Sequence, residues 1–235
     1  MPSFDFTHTW NAPETFRALS VIGTYDLREV KLEKHIRGSI PIEGLQWQIG
    51  AIVGASGSGK TSIAKHCWPK AYYADLKDRY KSASFLDDFP ENLTVKEVDM
   101  ALCSSGFSEP PSWLKSYSVL SQGQKMRVDI AMALCLPQNL IVFDEFTSTV
   151  DRTVAQIGSL AVSKAVRKHP GKQFIAVSCH SDILDWLEPD WVYNVDSAEF
   201  FNYLDVKKND PTQPSIYRFI NAIYPYGRCL GSIII

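Results

Sequence analysis

Eight consecutive residues, Gly54-Ala55-Ser56-Gly57-Ser58-Gly59-Lys60-Thr61, match the pattern G-x-x-x-x-G-K-[ST]. Glycines at that spacing let the backbone curl into a nest of N–H groups facing phosphate oxygens. A helix starting at the loop adds the positive end of its dipole to the same spot. Lys60 is placed to reach the outer phosphates, and Thr61, followed by Ser62, offers a hydroxyl oxygen to Mg²⁺. The pattern carries weight only where a strand feeds the loop and a helix leaves it. Both signals are present. The stretch from Trp47 ends in the apolar run Ile52-Val53, and residues 61–68 hold no Gly or Pro before Pro69. The chemistry implied is capture of a nucleotide by its phosphates.

Two further constellations lie downstream. Leu140-Ile141-Val142-Phe143 is an apolar run that ends in Asp144-Glu145. Consecutive carboxylates at the end of a buried strand are costly unless a cation meets them. With a phosphate loop in the same chain, that cation is Mg²⁺ carried with nucleotide, held by Asp144 largely through water. Glu145 is the candidate to orient or deprotonate an attacking water. Leu120-Ser121-Gln122-Gly123-Gln124 comes first in the chain and runs straight into a helical pattern. A hydroxyl, an unhindered N–H and a helix N-terminus together form an anion site.

With these three segments in this order, the sequence resembles the ABC-type ATPases, whose signature reads L-S-G-G-Q where this chain has Leu120-Ser121-Gln122-Gly123-Gln124. The resemblance spans about residues 15–196. It implies a P-loop NTPase core of the ABC type, an α/β fold with a mostly parallel sheet flanked by helices, bearing a small N-terminal β subdomain and a reduced helical signature subdomain. It implies ATP and Mg²⁺ at residues 54–62, with Thr61 and Asp144 on the metal and Glu145 as catalytic base. It also implies that Ser121, Gln122, Gly123 and Gln124 contact a nucleotide held by an opposite subunit, Ser121 and Gly123 at its γ phosphate. Ser148-Thr149-Val150-Asp151 resembles the family's D-loop, with Asp151 at the dimer interface. His180, after the apolar run at 174–178, resembles the histidine that contacts the γ phosphate. The pattern departs at one place. A Gln usual at a strand end is replaced by Asp87 or Asp88, either of which can ligate Mg²⁺ or its water. An aromatic ring upstream of the loop usually holds adenine, and the candidates are Tyr25 and Phe16.

Around these motifs, strand and helix signals alternate, which points to a parallel sheet. Strands are expected at 71–75, 84–88, 140–143, 174–178 and 191–195. Helices are expected at 94–102, capped by Thr94 and Glu97, at 121–136, at 154–167 and at 183–187, with a loop at 104–112. Residues 1 to about 45 read as a β-rich leader with strands at 16–22 and 38–42. The charged stretch 28–37 reads as a solvated face. The ATPase domain is expected over 1–206, with its helical subdomain at 92–136, and residues 207–235 form a tail whose role the sequence does not disclose.

Composition bounds the rest. A net charge of −2 gives no electrostatic case for nucleic acid or a membrane surface. Five scattered cysteines without metal-ligand spacing favour reduced thiols and a cytoplasmic location. No apolar stretch approaches the ~20 residues that span a bilayer, so no direct membrane insertion is expected. Lys60 and Ser121 stand only about 60 residues apart, shorter than the resemblance implies for transporter subunits. The expected partner is a second copy or a paired ABC subunit, with nucleic acid or an accessory protein as the further possibility. The alternatives are an ATP-binding transporter subunit and a slowly hydrolysing nucleotide-gated switch.

Overall fold

The computed structural model describes residues 1–27, 31–73 and 79–202, and the chain divides into two units at Gly44. In the first unit β1 (Ser3–Asn11) pairs antiparallel with β2 (Lys31–Ser39), so that Phe4 faces Gly38 and Trp10 faces Leu32. Between them lies α1 (Phe16–Thr24). Residues 16–22 are therefore helix, not the expected strand. Thr15 decides this by capping: its Oγ1 accepts from Ala18 N, and its carbonyl accepts from Leu19 N. The expected strand at 38–42 also ends early. β2 stops at Ser39, Ile40 N donates to Pro2 O at 2.8 Å, and Pro41 has no N–H to continue a ladder.

The second unit holds β3 (Ile49–Val53), α2 (Lys60–Cys67), β4 (Tyr72–Tyr73), α3 (Val95–Ser104), α4 (Pro110–Trp113), α5 (Gln122–Cys135), β5 (Leu140–Phe143), α6 (Arg152–Lys168), β6 (Gln173–Ser178), α7 (Ile183–Leu187), β7 (Trp191–Asn194) and β8 (Glu199–Asn202). Its six-stranded sheet runs β4-β5-β6-β3-β7-β8, with every pairing parallel except β7 with β8. All five residues of β3 are buried, as a strand covered on both faces must be. The capping box of α3 falls where the sequence puts it, Thr94 with Glu97, and a second one, Ser121 with Gln124, starts α5.

Three expectations change here. Residues 84–88 are not a strand: Phe85–Asp88 is a 3₁₀ turn, begun by Ser84 Oγ accepting from Leu86 N. The expected loop at 104–112 contains the start of α4, whose Pro110-Pro111 pair fits the first helical turn, where no N–H is needed. Of the expected strand at 71–75, Tyr72 and Tyr73 are strand, while Ala74 and Asp75 lie outside the described residues. The tail from 207 onward, with Cys229, also lies outside them. Cys67, Cys103, Cys135 and Cys179 are free thiols, and burial pushes Cys67 and Cys135 up to about 11, which disfavours their thiolate forms. No helix among the described residues is long and apolar enough to cross a membrane.

One buried carboxylate locates β3. Asp190 Oδ2 accepts from the backbone N–H groups of Gln48 (2.7 Å) and Ile49 (2.9 Å), just where β3 begins. The same carboxylate receives the Arg167 guanidinium of α6 in a two-pronged contact, Nη1 to Oδ2 at 2.7 Å and Nη2 to Oδ1 at 2.8 Å. Next to it, Trp191 lies so close to Gly50 that a Cβ there would fall 2.1 Å from the indole ring. Asp190→Ala removes the acceptor and strands the Arg167 cation, so unfolding in urea is expected to require about 3 kcal/mol less than for the native chain. An unchanged midpoint would show that the clamp does not support the sheet.

Candidate functional site

The parallel register brings the ends of four strands to one edge. Val53 is level with Ser178 of β6 and with Asn194 of β7, and Phe143 of β5 is level with Ala176. Residues that follow those ends therefore converge: the loop after Val53, Asp144 and Glu145 after Phe143, Cys179 and His180 after Ser178, and Asp196 after Asn194. Ligands of open α/β sheets sit beyond the carboxyl ends of the strands for this reason.

The phosphate loop leaves β3 at Gly54 and turns through Gly57 (φ +77°) and Gly59 (φ +110°), left-handed conformations that favour glycine. Gly59 is the residue before α2. Lys60 is buried and folds back, its Nζ donating to Gly54 O at 2.9 Å and Ala55 O at 2.7 Å. The ammonium is thus held inside the loop by carbonyl acceptors that a phosphate can replace. Asp196 braces the loop from β7: Ala55 N–H donates to its Oδ2 at 2.7 Å, and Asn194 Oδ1 accepts from Asp196 N at 2.9 Å. The sequence reading missed Asp196, although it is a carboxylate just past an apolar run, the same signal that exposed Asp144.

Asp144 is 9% exposed and meets the loop directly. Thr61 Oγ1 donates to its Oδ2 at 2.8 Å, and the Tyr72 hydroxyl of β4 donates to the same oxygen. A buried carboxylate against the hydroxyl of the phosphate loop is an all-oxygen donor set, the kind a hard cation such as Mg²⁺ takes along with phosphate oxygens. The residues present fit that group. Among the described residues no three His, Cys, Asp or Glu side chains gather as a metal cluster.

Glu145 is exposed and sits in the left-handed region at φ +53°, with Thr147 at φ +65°. Such positions cost about 1–3 kcal/mol each for residues other than glycine, and they persist where neighbours force them. Here Phe146, fully buried between the two, is the anchor: its ring packs on Phe143 and Phe174, and its N–H donates to Val177 O at 2.9 Å. A cavity of about 640 Å³ opens at this point and is lined in part by Asp144, Glu145, Gln122, Lys125, Tyr80 and Tyr117. Tyr80 and Tyr117 stack 3.9 Å apart and nearly parallel, and the Tyr117 hydroxyl donates to Asp129 Oδ2 at 2.8 Å. Burial and the nearby Asp129 charge push both phenols up, so they stay neutral donors.

The remaining predicted residues divide between the edge and other places. Ser121 caps α5, its Oγ accepting from Gln124 N at 3.3 Å while Gln124 Oε1 accepts from Ser121 N at 3.0 Å. Gly123 faces Val154 of α6, where a Cβ would come within 3.2 Å of a methyl group. Asp151 is exposed and caps α6, its Oδ1 accepting from Val154 N at 3.0 Å. The half-buried His180 donates its N–H to Ser178 Oγ at 3.1 Å. Asp88 is engaged locally, accepting from Lys81 N at 3.1 Å and from Ser82 N and Oγ at 3.2 and 2.8 Å. Asp87 sits in the same 3₁₀ turn. β4 ends beside β5 with Tyr73 paired to Phe143, and residues 74–78 lie outside those described. Tyr25 and Phe16 belong to the first unit and are 71% and 85% exposed.

No protein-family model and no curated protein matches this chain. Solved structures do. The ATP-binding cassette MJ0796, as a dimer in a post-hydrolysis state bound to ADP and Pi, is 14% identical with a TM-score of 0.60, covering 85% of this chain and 97% of that one. A second dimeric structure of MJ0796, described as a bacterial ABC transporter cassette, gives 14% and 0.53 over 80% and 94%. A bacterial Atm1-family ABC exporter with ATP bound gives 17% and 0.52, covering 92% of this chain but 42% of the exporter. The likeness establishes the fold, which is that of an ABC-type ATP-binding cassette.

Two substitutions probe the loop. Lys60→Ala is expected to abolish ATP binding measured with a fluorescent nucleotide, and unchanged affinity would remove the loop from the site. Asp196→Ala, which leaves Ala55 N–H without its acceptor, is expected to weaken ATP binding roughly tenfold.

Proposed function

We propose that this chain binds and hydrolyses ATP, closing with a second cassette around the nucleotide to drive a partner protein or a process on nucleic acid. The observation that carries this reading is the 2.8 Å contact between Thr61 of the phosphate loop and the buried Asp144, with Glu145 next in the chain. On this reading the N–H nest of residues 54–59 and Lys60 hold the phosphates, while Thr61 and Asp144 hold Mg²⁺. When bound, the ion supplies positive charge to the phosphate oxygens as negative charge builds on the leaving group.

The chain's own groups do the rest. Glu145 takes the proton of the attacking water, a task suited to a carboxylate exposed at the mouth of the cavity. His180, at the end of the neighbouring strand, contacts the γ phosphate and holds the water against Glu145. Ser121 and Gly123 present a hydroxyl and the N-terminus of α5 to the nucleotide of the opposite cassette, and Asp151 lies at that interface. The dimer seen for MJ0796 supports two-fold closure for this chain as well. The short interval of about 60 residues between Lys60 and Ser121 supports a cytoplasmic cassette outside transport, serving a soluble partner.

Glu145→Gln separates the readings. Turnover is expected to fall about 10²–10⁴-fold while ATP stays bound, with a dimer accumulating on size-exclusion chromatography. Normal turnover in this variant would exclude Glu145 as the base. Stimulation of the native chain by DNA or RNA favours the nucleic-acid role. Stimulation only by a membrane-protein partner favours a transporter subunit, and tight ATP-dependent dimers with negligible native turnover favour a switch.

A further inference from the structure

The segment after Glu145 is fastened to the segment that carries His180 at three points. Phe146 N–H donates to Val177 O at 2.9 Å. Ser148 Oγ lies 3.8 Å from Cys179 Sγ. Arg152 then reaches across to Asp182, its Nε donating to Oδ2 at 2.7 Å and its Nη2 to Oδ1, with the guanidinium 5.5 Å from the centre of the Trp186 ring. The first two ties are a single backbone bond and a weak sulfur contact. The third is a two-pronged charged fork, the geometry in which Arg fixes a carboxylate most firmly.

Local stability explains neither member of that pair. Arg152 is the first residue of α6, where a cation opposes the helix dipole. Asp182 stands at the N-cap of α7, yet its carboxylate makes no cap bond and is turned to Arg152 instead. Both residues thus forgo the role their helix would give them. The side chains are 39% and 44% exposed, a setting in which an ion pair adds little to stability. What the fork does is fix position: Arg152 directly follows Asp151, and Asp182 is two residues past His180.

We infer that Arg152 and Asp182 are positioning residues that make the turn at Asp151 and the segment at His180 move as one piece. Contact of a partner with Asp151 is thereby felt at the histidine of the same chain. The inference rests on the ATPase reading above, in which Asp151 faces the opposite cassette and His180 faces the γ phosphate. The pair acts on where His180 stands and touches no nucleotide itself.

The test compares the native chain with Arg152→Gln, Asp182→Asn and the exchanged double variant R152D/D182R, measuring ATP affinity, kcat and thermal melting. Because the pair adds little stability, all variants are expected to melt near the native temperature. Each single variant is expected to bind ATP as the native chain does and to lose about tenfold in kcat, since displacing a catalytic group by an ångström has effects of that order or larger. The exchanged pair is expected to recover most of the loss. Single variants with native kcat, a loss that appears in ATP affinity instead, or an exchanged pair no better than either single variant would each overturn the inference. A native chain that hydrolyses no ATP would overturn the ATPase reading and this inference with it, whereas native turnover with unaffected variants overturns this inference alone.

Discussion

The site depends on β3 being held in parallel register between β6 and β7. Strand pairing has a period of two, so a slip of one residue would turn every side chain of β3 to the opposite face and carry the loop off the common edge. Two contacts at the start of the strand oppose such a slip. Asp190 grips the first N–H groups of β3, and the Trp191 ring fills the space where only the missing side chain of Gly50 permits it. The geometry at the far end, where Gly54 emerges beside Ser178 and Asn194, follows from what is pinned at the near end.

The two carboxylates at that far edge behave differently because their donors differ. Asp196 accepts from a backbone N–H of the loop, a donor that cannot rotate away, so it acts as a fixed brace. Asp144 accepts from the hydroxyls of Thr61 and Tyr72, and a hydroxyl turns freely about its C–O bond. Its oxygen can be released to a cation without moving the main chain. Glu145 completes the contrast: it is exposed, and its backbone is constrained by the buried Phe146 beside it.

Much of this was legible in the sequence, because a phosphate loop, an acidic strand end and a capped helix are each short and contiguous. Continuous apolar runs marked β5 and β6, and Thr94 with Glu97 marked α3. Other features needed partners distant in the chain. Asp196 meets Ala55 across 141 positions, and Arg152 meets Asp182 across 30, so neither side of either contact identifies the other. At residues 16–22 the β-branched Val21 and Ile22 suggested a strand, but the cap from Thr15 outweighed them. β1 is a different case. Phe4, Phe6 and Trp10 alternate with polar residues, a strand pattern visible without the structure. The expected strand at 84–88 failed for a local reason: Ser84 Oγ accepts from Leu86 N and starts a 3₁₀ turn at Phe85.

The cap on α5 has a consequence for the signature serine. A hydroxyl has two lone pairs and one proton, and capping uses only a lone pair, the one that accepts from Gln124 N. The proton of Ser121 stays available to an anion in front of the helix. The backbone N–H of Ser121 is taken by the Gln124 side chain, whose amide in turn donates to Glu109 Oε2 at 3.1 Å. The serine oxygen is thus placed in advance from within its own subunit, and on the proposed reading a nucleotide arriving from the opposite cassette meets a side chain whose rotamer is already set, with only the O–H left to turn.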